Sequence, residues 1–91
     1  MNSPSPAILP RLSAALLDAW QARDLHRMHE IACEARDLSI LAASPAEAER
    51  LDLLEAVAVS LGRSASEGTN GQTFLNLLFH LRDESLLAHA G

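Results

Sequence analysis

The chain has 91 residues, 48% of them hydrophobic and 21% charged, and a net charge of −5. That balance excludes an intrinsically disordered chain, and the length allows one domain that buries only a little over ~60% of the surface its unfolded form exposes. The acidic total argues against nucleic acid: the seven cations are all arginine, scattered from Arg11 to Arg82, and make no cluster that could displace condensed counterions.

Alanine and leucine are abundant, tyrosine is absent and aromatics make up 3%, a composition that favours helix over sheet. The absence of lysine suggests a GC-rich bacterial genome. Cys33 is the only cysteine, so no internal disulfide marks the chain as secreted. The opening "MNSPSPAILP" lacks the positive leader and apolar stretch of a signal peptide. No apolar run approaches the roughly 20 residues that cross a bilayer. A cytoplasmic protein without membrane contact is expected.

Residues 1–9, with Pro4 and Pro6, read as a flexible or extended arm preceding one helical domain over residues 10–90. Pro10 suits the first position of a helix, where its missing N–H has no partner to lose. Leu12, Ala15, Leu16, Ala19 and Trp20 then recur at helical spacing up to about Arg23, with Trp20 as a core anchor. Asp24 is a candidate cap for a second helix ending near Ala42. "SPAE" at Ser44–Glu47 is a capping box with Pro45 at the first helical position, and the third helix should stop at Gly62. "GRSASEGTNG" reads as a loop. It lacks the Gly-Lys-Ser/Thr ending of a phosphate cradle. Thr69 or Asn70 then caps a fourth helix, and no internal repeat is present. Four helices with short connections predict an all-α, up-and-down four-helix bundle that self-associates. The 62–70 loop also allows the fourth helix to be exchanged into a partner subunit.

The chemistry-bearing residues concentrate in "HRMHEIAC". On a helical wheel of about 100° per residue, Leu25, Met28, Ile31, Ala32, Ala35, Leu38 and Ala42 make one stripe, while His26, His29, Glu30 and Cys33 lie opposite. Imidazole, carboxylate and thiolate at i, i+3, i+4 and i+7 could converge on zinc or a later first-row metal, with His80 or His89 completing the shell. The spacing matches neither HExxH nor paired CxxC. A Cys–His catalytic pair is disfavoured, because it needs a cleft and an orienting third group. The plainer reading is a solvated face carrying i,i+4 neighbours and an Arg27–Glu30 ion pair. A third reading places Cys33 and Ile40, about 20° apart on this face, against another chain.

The fourth helix is apolar around most of its circumference, through Phe74, Leu75, Leu77, Leu78, Phe79 and Leu81. Either it is central in the bundle or its flank is an intermolecular surface. The acidic pairs Asp83-Glu84 and Glu47/Glu49 have no partner base nearby in sequence and read as solvated.

The segment "AWQARDLHRMHEIACEARDL" resembles the turn and second helix of a tetratricopeptide-type hairpin over about 20 residues, through Trp20, Asp24, Met28 and Ala35. Arg23 stands where that hairpin has glycine, and no second unit follows. "LLDAWQARDLHRMHEIACEA" followed by "SPAEAERLDLLEAV" is also similar to small helical export chaperones of flagellar systems. Either resemblance implies a protein-binding helical hairpin.

The expected function is therefore non-catalytic protein binding, as an adaptor, an export-type chaperone or an antagonist of a regulator. Cys33, Ile40, Phe74, Leu78 and Phe79 are the expected interface residues. The competing reading is a metal-responsive protein using His26, His29, Glu30 and Cys33. No cofactor is expected, and the partner is another protein, a second copy, or both.

Overall fold

A computed structural model describes the backbone of residues 8–90 and the side-chain surroundings of residues 8–83. It contains α1 (Ile8–Ala22), α2 (Leu25–Ile40), α3 (Pro45–Glu67) and α4 (Gln72–Ala90). The chain is a small all-α bundle, as its composition and periodicity predict. Contacts between the helices establish the up-and-down order. Ser39 near the end of α2 meets Ala48 and Asp52 near the start of α3. Trp20 at the end of α1 packs against Gly71 just before α4. Among the described residues α1 touches all three other helices, whereas α2 and α4 do not meet. The α2–α3 pair is the most extensive packing.

The core is aliphatic. Leu12, Leu16, Met28, Ile31, Leu51, Leu54, Val57, Leu61, Leu78 and Leu81 are buried around it, and Trp20 closes one end. Burying a side chain of this kind contributes roughly 1.5–3 kcal/mol, and that sum is what offsets the entropy lost in ordering the chain.

α1 ends in a tight reversal. The Arg23 N–H donates to the Trp20 carbonyl at 3.1 Å and the Asp24 N–H to the Ala19 carbonyl at 2.9 Å. This is a Schellman closure, which requires a left-handed residue at Arg23. Arg23 supplies it at φ 55°, a conformation that favours glycine. The side chain offsets part of that cost: its guanidinium lies 4.0 Å from the Trp20 ring centroid and also donates to the Trp20 carbonyl. Asp24 then caps α2, its Oδ1 accepting from the Arg27 N–H at 3.0 Å.

Four boundaries differ from expectation. α1 begins at Ile8, two residues before Pro10, because none of the first four N–H groups of a helix has an intrahelical partner and proline is harmless anywhere in that turn. Leu9 is buried, so the helix gains by starting early; residues 1–7 of the expected arm lie outside the described residues. α2 stops at Ile40 and not Ala42, and the Leu41 N–H bonds back to Leu38.

The third difference is the largest. α3 runs through Gly62 to Glu67 and ends at Gly68, which takes the left-handed conformation at φ 74°. Leu61 and Ser64 are buried on either side of Gly62, and that packing outweighs the ~1 kcal/mol a glycine costs inside a helix. The connection to α4 therefore spans 68–71, not 62–70.

Gly71 and not Thr69 or Asn70 precedes α4, its carbonyl accepting from the Leu75 N–H at 3.0 Å. Its φ is 67°, and a Cβ there would stand 2.8 Å from Trp20 Cη2. Glycine is needed at this position for both reasons. No described helix is long and apolar enough to cross a membrane.

Candidate functional site

Asp24 starts α2 in the register that turns Met28, Ile31, Ala32 and Ala35 inward and leaves the histidines outward. His26 Nε2 lies 3.5 Å from Glu30 Oε2, and Arg27 lies 3.5 Å from Glu30 Oε1. These groups are well exposed, so the pairs contribute at most a few tenths of a kcal/mol, roughly. Separately, Cys33 Sγ lies 3.6 Å from His29 Nε2. The four residues thus form two neighbouring pairs. Among the described residues no group of three or more histidine, cysteine or acidic side chains gathers closely enough to hold a metal ion.

His80 cannot complete such a shell. It lines a groove with Ala46, Glu49, Arg50, Leu53 and Leu81, against the first half of α3. His29 instead faces Ala58, Val59 and Gly62 in the second half. At 1.5 Å per residue these levels are about 15 Å apart along α3. The side chain of His89 lies outside the described residues.

The apolar surface divides more informatively. Ile40 and Leu41 are 77% and 79% exposed at the end of α2. Leu25, expected in the core stripe, is 46% exposed, because it sits in the first turn about 40° from His29 on the outward face. Leu25, His29, Cys33 and Ile40 fall within about 80° of one another and form a ridge along α2. Beside its upper half runs an open groove of about 280 Å³, lined by Leu25, Met28, His29, Ala32, Ala58, Val59 and Gly62. Val59 is half-exposed, and among the described residues nothing beyond Gly62's chain neighbours and its own helix backbone lies within 4 Å of the position a Gly62 Cβ would take.

The fourth helix resolves unevenly. Leu78 was expected at an interface and instead is 1% exposed in the core, with Leu81 beside it. The all-round apolar pattern of this helix cannot say which residues face inward, and the bundle chooses Leu78. Phe74 is half-buried and packed against the core. Phe79 is half-buried too, with the Arg82 guanidinium 5.3 Å from its ring centroid. Leu77 is the outward residue.

Sequence reasoning missed Ser39. Its hydroxyl donates to Asp52 Oδ1 at 2.6 Å, with the Ala48 carbonyl at 3.2 Å as a second acceptor, and so ties α2 to α3. It also missed Ser13, whose buried Oγ has no hydrogen-bond partner among the described residues. A serine among leucines in a helix carries no signal of which way it faces.

Compared with protein-family models, with curated proteins and with solved structures, the chain matches none. In the structure Trp20, Met28 and Ala35 are buried and Asp24 caps α2.

Proposed function

We propose that the chain is a non-catalytic, self-associating protein-binding module of the bacterial cytoplasm that acts through the outward face of α2 and its groove with α3. The observation that carries this reading is Ile40 and Leu41 standing 77% and 79% exposed at the end of the ridge that begins at Leu25. Two large adjacent side chains in water are unfavourable by roughly 1.5–3 kcal/mol each relative to burial, and a partner recovers that free energy. Recognition is by a helix face, with Leu25, Ile40 and Leu41 as apolar anchors and the exposed Arg36 among them on the same face.

Affinity capture from the native host tests it. The wild-type chain should retain a defined protein that an Ile40→Asp/Leu41→Asp variant does not, and the purified pair should reproduce the difference. Equal retention by the variant would remove this face from the proposal. The second reading is a metal-responsive surface, in which the His29–Cys33 pair, 3.6 Å apart, supplies two donors and a second chain supplies the rest of the shell. It predicts stoichiometric zinc binding that is lost in both His29→Ala and Cys33→Ser.

A further inference from the structure

α3 carries a charge pattern around Val59, one of its exposed apolar residues. Glu55 lies one turn before Val59 and Arg63 one turn after it, each within about 40° of Val59 on the wheel. Asp52 extends the same stripe a further turn towards the N-terminus, about 20° from Val59. The stripe is thus acidic on one side of Val59 and basic on the other. Arg63 is exposed and Glu55 half-buried, and neither makes a side-chain hydrogen bond or an ion pair with any described residue. Gly62 leaves the surface beside Val59 open.

We propose that a second copy of this chain covers this face, with α3 packed antiparallel on α3 of the other copy. Val59 of each lies at the two-fold axis, and Glu55 of each faces Arg63 of the other. The choice of occupant follows from charge. A two-fold interface must be complementary to itself, with one patch serving both copies. The stripe has that property only in the antiparallel sense: Glu55 and Arg63 are equidistant from Val59, so rotation exchanges them, and two Glu–Arg pairs form. A parallel arrangement would set Glu55 on Glu55 and Arg63 on Arg63. Leu25 and Val59, exposed on the two sides of the groove, are the apolar area covered. The inference rests on the reading of the α2–α3 side as a contact surface.

Sedimentation equilibrium decides it, with circular dichroism confirming that each variant is helical. The wild type should sediment at twice the chain mass of 9.8 kDa at tens of micromolar. Glu55→Arg and Arg63→Glu should each raise the dimer dissociation constant by about tenfold or more, since each sets like charges together twice. An equimolar mixture of these two variants should return to within about threefold of wild type, because both pairs become Arg–Glu again. Val59→Asp should raise the constant about a hundredfold. A wild type that stays at single-chain mass at millimolar concentration overturns the proposal. So does a dimer indifferent to these changes, or one that the mixture does not restore. A monomeric chain that still captures a partner through Ile40 and Leu41 leaves the protein-binding part of the functional reading standing, while self-association and this inference fall.

Discussion

Gly71→Ala should be among the most damaging methyl additions in the protein. The first contribution is backbone: alanine at φ 67° costs about 1–2 kcal/mol relative to glycine. The second is steric. The new Cβ would lie 2.8 Å from Trp20 Cη2, 3.1 Å from Cζ2 and 3.3 Å from Leu61 Cδ2. The indole cannot retreat freely, because it is 5% exposed and carries the Arg23 guanidinium 4.0 Å from its centroid. Overpacking of this kind costs typically ~1–3 kcal/mol, so the two together come to about 2–5 kcal/mol. A 91-residue domain has about 5–14 kcal/mol in total. The melting temperature should fall by roughly 10 to 25 °C in a thermal unfolding experiment followed by circular dichroism. Gly68→Ala is the internal control. It shares the left-handed backbone at φ 74° but has nothing within 4 Å of its Cβ, so it should lose only the first contribution. Equal losses at the two positions would refute the packing of Trp20 on Gly71.

Other substitutions probe other parts of the fold. Ser13→Ala should stabilise by about 1 kcal/mol, because it removes a buried hydroxyl with no partner; a lower urea midpoint would show that the hydroxyl is satisfied. Asp24→Ala should cost about 1 kcal/mol through loss of the bond to the Arg27 N–H, and Asp24→Asn should recover most of it. Arg23→Gly should leave stability within about 0.5 kcal/mol of wild type, since relief of the left-handed backbone and loss of the stacking on Trp20 oppose each other. A loss above 2 kcal/mol would give the stacking much more weight. Gly62→Ala in a Val59→Asp background should stabilise by about 0.5–1 kcal/mol, as expected of a helical glycine with open space at its Cβ.

The local signals were the legible ones. Asp24 and Ser44 cap their helices because an N-cap depends on residues only three apart, and the Ser44 hydroxyl does accept from the Glu47 N–H at 3.2 Å. Glycine as a stop was half-legible. The residue type was right, but Gly68 and not Gly62 ends α3, since tertiary packing of Leu61 and Ser64 carries the helix past the first glycine. Long-range facts left no trace. Gly71 and Trp20 lie far apart in sequence, and nothing in either residue announces the other. α4 was ambiguous for a different reason: a helix apolar on most sides does not reveal that Leu78 is buried and Leu77 is not. The candidate site was legible in outline, as a second face on α2 with Cys33 half-buried and Ile40 exposed. Its other wall, Val59 and Gly62, is hidden because a glycine after an apolar helical run carries the signal of a helix stop, and only tertiary packing carries α3 past it.

The dependence of thermal stability on protein concentration tests most directly whether another polypeptide covers this face. Association that favours the folded state makes the melting midpoint rise with concentration. The wild-type midpoint should climb by several degrees, roughly, between micromolar and millimolar chain. That of Val59→Asp should stay flat across the same range. A wild-type midpoint as flat as the variant's would contradict the account.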